Sequence, residues 1–240
     1  MSFLVFQLQA PLSSWGEPAV GEYRGSHDYP GESTLIGLLG AALGLQREDD
    51  NAHASLRQGY GFAVGVQSPG KLLRDYHTAQ VPGRASLKGR PQATRRDELA
   101  VPKHDLNTIL STRDYRQDAA CLVAVQPHAT MPYALDVLMQ ALRSPRFVLY
   151  LGRKSCPPSV PLYPQVIEAA SVLAAMNAYR DQLGGLLGTE SAPIVRLAWA
   201  DGVTPGATAD LSAPRKDRLI RRQGWQFGDR TEHVALLAGD

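Results

Sequence analysis

The sequence predicts an α+β protein: a ferredoxin-like (RRM-like) β-α-β-β-α-β domain with an inserted basic β-hairpin or arm, and a small β-containing subregion at the C-terminal end. Three observations lead there. Strand-like and helix-like patterns alternate in order from Phe3 to Tyr150. A polar stretch rich in Gly and Pro, from about Ala79 to Asp118, interrupts that alternation. Two further short apolar runs, Ile194 to Ala200 and Val234 to Leu237, follow near the end.

Phe3 to Gln9 is apolar and β-favouring, which makes it the first strand. Ser33 to Leu45 carries Leu35, Ile36, Leu38, Leu39, Ala42 and Leu43 at helical spacing, with Ser33 placed to cap its start and Gly44 near its end. Tyr60 to Gln67 is the second strand, closed by Ser68-Pro69-Gly70. Lys71 to Thr78 is a further short strand. Ala119 to Gln126 is a buried-type strand through Cys121, Leu122, Val123, Ala124 and Val125. Tyr133 to Arg143 is the second helix, with Leu135, Leu138, Met139 and Leu142 on one face. Arg146 to Tyr150 reads as the strand that completes the domain. The boundaries that follow are a domain over 1–160 with its arm at about 79–118, and a subregion over 161–240. Within the latter, Val166 to Leu187 reads as an apolar helix and 201–214 as a loop.

The chain has 240 residues, 44% hydrophobic and 20% charged, a globular rather than a disordered composition. No apolar run reaches the ~18 residues that a membrane helix needs. Met1 to Phe6 lacks a basic leader and a small-residue cleavage site, so it reads as a strand rather than a signal peptide. The only cysteines are Cys121 and Cys156, and no His or Cys is spaced to share a metal. Neither a metal nor another cofactor is expected, and the setting is reducing and cytoplasmic.

The net charge of +2 hides an asymmetry. Residues 1–70 carry three basic and seven acidic side chains, residues 71–116 carry ten and five, and residues 213–222 carry five and one. Positive charge concentrated in two segments points to an anionic partner at defined places. The loop Tyr150-Leu151-Gly152-Arg153-Lys154-Ser155-Cys156-Pro157 has the chemistry to hold a phosphodiester chain. Gly152 permits close backbone approach, Arg153 and Lys154 supply charge, Ser155 a hydroxyl and Tyr150 a stacking face. An ordinary surface turn is the plainer alternative. The interrupting stretch holds Arg84 and Lys88, and Arg113, Tyr115 and Arg116 close it near the sheet, suited to pair with phosphate and stack.

Three runs carry a family resemblance: Leu35 to Asp50, Leu73-Arg74-Asp75-Tyr76-His77-Thr78, and Tyr150 to Pro157. In that order, and over roughly residues 3–165, the chain resembles the CasD family, the repeat-associated (RAMP) subunit of the type I-E CRISPR surveillance complex, Cascade. The resemblance implies a ferredoxin-like body with a thumb-like hairpin. It also implies binding of the 5′ handle of the CRISPR RNA, capping of one end of the backbone filament of RAMP subunits, and contact with the large subunit. Target DNA would pass nearby. A separate subunit cuts the precursor RNA in that system, so a non-catalytic binder is implied. Glu32 departs from the family, which often has a basic residue just before the helix-capping serine.

Several residues bear two readings. Arg74 and Tyr76 share one strand face, suited to a phosphate and a base, and Tyr76 equally suits core packing. His77 reads as a structural or RNA-bonding histidine rather than a base. Lys103-His104 resembles an acid–base pair for RNA cleavage, but adjacent solvated cations are the default. Trp15 suits burial or base stacking, and Arg24 and His27 suit phosphate contacts. The cluster Arg215 to Arg222 suits the RNA, the target DNA, a neighbouring acidic subunit or a solvated face. The rival functions are a metal-independent endoribonuclease that processes CRISPR precursor RNA and a stand-alone single-stranded RNA-binding protein.

Overall fold

A computed structural model describes residues 1–16, 19, 21–188, 191–221 and 226–237. Among the described residues, nine strands form one mixed-layer α/β architecture around a large antiparallel sheet. The strands are β1 (Ser2–Ser13), β2 (Tyr23–Arg24), β3 (Tyr60–Ser68), β4 (Lys71–Pro82), β5 (Leu106–Pro127), β6 (Gln165–Glu168), β7 (Arg196–Ala200), β8 (Leu211–Arg221) and β9 (Gln226–Leu236). The helices are α1 (Glu32–Leu43), α2 (Asp50–Gly59), α3 (Arg95–Leu99), α4 (Leu135–Arg143) and α5 (Val172–Leu187), with a 3₁₀ turn at Lys103–Asp105. The sheet order is β6-β1-β5-β3-β7-β9-β8, with β2 and β4 joined to β5 off that path.

Both faces of the central strands are covered, which is why their sequences read as continuous apolar runs. Leu4, Phe6 and Leu8 of β1 and Cys121, Val123 and Val125 of β5 enter one core with α1 residues Leu35, Ile36 and Leu39 and α4 residues Leu138 and Leu142. The alternate residues Phe3, Val5, Leu122 and Ala124 enter a second core against α5, with Met176, Tyr179 and Leu183. That is the two-residue period of a strand read out on two faces. Burial pushes the Cys121 thiol up to about 12, so it is an inert core group.

Strand β5 is continuous over 22 residues and belongs to two structures at once. Its second half lies between β1 and β3. Its first half pairs with β4 and the short β2, from Leu106↔Pro82 to Gln117↔Lys71. Of the stretch from Ala79 to Asp118, read in the sequence as an inserted β-hairpin or arm, residues 79–82 and 106–117 lie in this hydrogen-bonded ladder and the intervening residues lie beyond it. At ~3.3 Å per residue, its paired residues span roughly 40 Å. The tip, between Pro82 and Leu106, holds α3, started by a capping box in which Thr94 and Asp97 exchange side-chain-to-backbone bonds. The long arm lacked hydrophobic periodicity because neither face packs on a second layer there.

Four other expectations change. Arg146 to Tyr150 is not a strand. The Arg146 and Phe147 N–H groups instead donate to Ala42 O and Ala41 O, at 3.0 and 3.1 Å, and satisfy carbonyls at the end of α1. The fourth strand beside β1 is β6, inside the run expected to be helical. The helix begins only at Val172, after Ser171 accepts a bond from the Ala174 N–H. The sheet therefore runs on past residue 160. Helix α2 lies over Asp50–Gly59, where no element was expected. Ser33 is not the cap of α1; Gly31 is, and the Glu32 N–H donates to Asp217 Oδ2 at 2.9 Å.

That cap belongs to a buried network that also changes the reading of Arg215 to Arg222. Arg215 bonds Glu232 at 2.8 Å, Arg230 bonds Asp217 at 2.6 Å and Glu232 at 2.7 Å, and Arg218 lies 3.3 Å from Glu32. The Tyr29 hydroxyl donates to Glu232 at 2.8 Å. Arg215, Asp217, Arg230, Glu232 and Glu32 are all buried. At Arg215 and Asp217 the cluster is therefore internal rather than a surface open to RNA, while Lys216, Ile220 and Arg221 stay exposed; Arg222 lies outside the described residues. Burial raises the Glu32 carboxyl, opposed by Arg218 and Arg230. Burial also pulls on Arg230, yet its bonds and charge pairing with Asp217 and Glu232 raise it overall.

Removing one member of such a network leaves uncompensated buried charge. Arg230→Met is expected to lower the unfolding free energy by about 3–5 kcal/mol in urea titration. A loss below about 1 kcal/mol would show that the network is dispensable.

Candidate nucleic-acid interface

Three segments meet where the arm leaves the sheet: the loop after β1, the turn around Gly152, and the base of the β4–β5 ladder. The first two are joined by backbone. Ser14 N–H donates to Leu151 O at 3.0 Å, and Leu151 N–H donates to Cys156 O at 2.7 Å. Gly152 has φ +90°, and a Cβ there would lie 1.7 Å from Ser14 O. The close approach that this glycine permits is therefore to the chain's own β1 end. Trp15, buried, forms a bridge with His27, whose N–H donates to Trp15 O at 2.9 Å.

Arg153 projects from the turn onto the arm. Its guanidinium carbon lies 4.5 Å from the Tyr115 ring centroid, and Nη2 donates to Arg24 O at 3.3 Å. Arg153 Nη1 is buried without a hydrogen-bond partner among the described residues. Tyr115 is half-buried and packs on the first core. Arg116 Nε donates to His27 O at 3.3 Å. Lys154 and Ser155 are exposed beside Arg153, and Tyr150 is exposed on its other side.

On the opposite ladder face lies Asp114, a carboxylate only 2% exposed. Arg74 Nε and Nη2 donate to its two oxygens at 2.9 and 3.1 Å, and the Tyr23 hydroxyl donates to Oδ2 at 2.7 Å. The Arg74 bond holds the Asp114 carboxyl below the usual range despite burial. The Asp114 bond raises the Tyr23 phenol, opposed by Arg74. Tyr23 and Asp114 were missed in the sequence: an isolated Tyr in a Gly-rich loop carries no periodic signal, and Asp114 looked like one polar residue in a polar stretch.

The remaining candidate residues lie along the arm. Tyr76 is 66% exposed, opposite Thr112, so the core-packing reading fails. His77 lies opposite Ser111, 3.9 Å from the Asp75 carboxylate. Arg113 faces Asp75 across the ladder. Arg84 and Lys88 are exposed at the tip. Eight of the candidates, Arg24, His27, Arg74, Arg113, Tyr115, Arg116, Gly152 and Arg153, thus gather at the arm's base. Lys103 and His104 sit at the tip, far along the ladder from His77.

A depressed carboxyl adds stability that is present above the ordinary aspartate value and is lost as pH falls through the folded-state value. Asp114→Asn is therefore expected to cost about 1–3 kcal/mol at neutral pH. That gap from the unsubstituted chain should close below about pH 4. Chemical denaturation across pH reads this, and a gap that persists into acid would refute it.

Comparison with known proteins follows the same lines. A family model described as "CRISPR-associated protein (Cas_Cas5)" matches residues 3–231. The chain is 34% identical over 202 residues to the CRISPR system Cascade subunit CasD of Escherichia coli (strain K12), covering 79% of this chain and 82% of that one. A solved "CRISPR RNA-guided surveillance complex" contains a chain of TM-score 0.64 and 26% identity, covering 98% of this chain and 90% of that one. A crystal structure of a Cas protein shares the fold at TM-score 0.62 and 24% identity, covering 99% of this chain and 95% of that one. This chain belongs to the Cas5 family of CRISPR-associated proteins.

Proposed function

We propose that the chain is a non-catalytic RNA-binding subunit of a type I-E CRISPR surveillance complex. It holds the 5′ handle of the CRISPR RNA and caps the backbone filament next to the large subunit, in antiviral defence. Family membership and the likeness to a protein named a Cascade subunit support the complex. The observation that carries RNA binding is the cationic turn at the arm's base, where Arg153 stacks on Tyr115 and is followed by exposed Lys154 and Ser155. A phosphate or a base-edge oxygen is a suitable acceptor for these donors.

The proposed fold reading is the ferredoxin-like, split βαβ arrangement. Its support is the order β6-β1-β5-β3, in which each strand is antiparallel to its neighbours and α1 and α4 lie on one face. The β4–β5 ladder is then the inserted thumb. Its exposed cations at Arg84 and Lys88 and its exposed Tyr76 suit a partner laid along it, RNA or an adjacent backbone subunit. Among the described residues no helix is long and apolar enough to cross a membrane. A cytoplasmic site of action fits that reading.

Affinity would come from Arg153, Lys154, Arg113 and Arg116 neutralising phosphates, with a steep salt dependence. Arg153→Ala combined with Lys154→Ala should weaken binding of the full chain to repeat RNA. It should also lower the salt slope by roughly one for each phosphate no longer neutralised. Unchanged binding at moderate salt would remove both residues from the interface. Repeat RNA incubated without metal should stay intact on a denaturing gel. A discrete product that disappears in His104→Ala or His77→Ala would establish the endoribonuclease instead.

A further inference from the structure

Tyr23 combines two properties that rarely coincide. Its side chain is on the surface, 52% exposed, yet it is fixed at its tip. The hydroxyl donates to Asp114 Oδ2 at 2.7 Å and receives a bond from Arg74 Nη2 at 3.3 Å. The Arg74 guanidinium carbon lies 5.5 Å from the ring centroid. Gly25 sits beside the ring, where a Cβ would come within 3.2 Å of Cε1, so the absence of a side chain there leaves the ring edge clear. An exposed aromatic normally loses rotamer freedom when it binds something. Here the carboxylate has already removed that freedom.

Arg74 is equally constrained. Its two-nitrogen fork is engaged by both oxygens of Asp114. A guanidinium paired with a buried carboxylate has little net charge to offer a phosphate, but its flat face remains available. The charge that sequence reasoning assigned to phosphate is answered within the protein.

We propose that Tyr23 and Arg74, held in place by Asp114, form a stacking platform for one unpaired nucleobase of the bound RNA. The platform neutralises no phosphate, and it rests on the RNA-binding reading above. Its ligand is the π-face of a splayed base at the arm's root, while Arg153 on the other face of the ladder takes an oxygen acceptor. Asp114 is the positioning residue.

The test uses the full chain and single-stranded RNA carrying the repeat-derived 5′ handle, with 2-aminopurine replacing each handle base in turn. Affinity is measured from about 50 to 300 mM salt. One handle position is expected to be quenched on binding. Tyr23→Ala should abolish that quench and weaken binding on the order of 10-fold or more, with the salt slope unchanged. Tyr23→Trp, which keeps a flat face, should retain the quench, and Arg74→Lys, which keeps the charge, should reduce it. Melting curves check that each variant is folded; Tyr23 is exposed, so its variants stay informative even if Arg74→Lys unfolds. Handle-dependent binding with no Tyr23-dependent quench overturns the platform and leaves the RNA reading standing. No binding by the unsubstituted chain overturns both.

Discussion

The rest of the structure depends on the buried ion network between α1 and the β8–β9 pair. Desolvating charge is costly, and attraction in a low-dielectric interior offsets it only when geometry is good and lone pairs are filled. Here three carboxylates, Glu32, Asp217 and Glu232, meet three guanidiniums, Arg215, Arg218 and Arg230, with Tyr29 as a further donor. Asp217 also receives the first free N–H of α1, which places a negative charge at the positive end of the helix dipole. A Cβ at Gly31 would lie 2.5 Å from Asp217 Oδ2, so the glycine is what lets a carboxylate from a distant strand replace a local cap. Helix α1 in turn packs on α4 and covers β1 and β5. The orientation of the strands that carry the arm is thus tied to ion pairs at the β8 edge of the sheet.

At the arm itself the balance differs. The root is fixed by backbone bonds from the Gly152 turn, by Arg153 on Tyr115, and by the Asp114 pair. Beyond it the ladder has hydrogen bonds but little packing, with Tyr76, Ile109 and Leu110 exposed. Local opening follows the density of buried apolar contact, so stability should fall from root to tip. A clamp needs that gradient, with a fixed hinge end and a compliant end that adapts to what it covers.

Much of this was legible in the sequence, and the failures have physical causes. Helix α1 was readable because apolar residues recur there at helical spacing, and β3 and the buried half of β5 because they are continuous apolar runs of strand length. Arg146 to Tyr150 misled because an apolar run of strand length also suits a segment that closes a helix end. Strand β6 was hidden because Val166 and Ile167 continue into the apolar pattern of α5. In β8 and β9 the inward positions are charged, Arg215, Asp217, Arg230 and Glu232, so a period-two strand looked like a basic surface cluster. The site divided the same way. Gly152, Arg153 and Tyr115 were found because their types name the chemistry, and eight candidate residues do converge. Tyr23 and Asp114 gain their meaning only from Arg74 across the ladder, a pairing that no local pattern announces.

Strand β5 has one more consequence. It is flanked by β1 and β3 in the body and is the covalent root of the arm's returning side. The arm is therefore a cantilever whose beam continues into the middle of the body rather than ending at its rim. A pull along the arm loads β5 in shear against β1 and β3 together, across ladders whose hydrogen bonds lie perpendicular to the load and must fail as a group. A sideways push meets only β4 and the short β2. Such a limb resists extraction and yields to bending, which is the mechanical character of a latch.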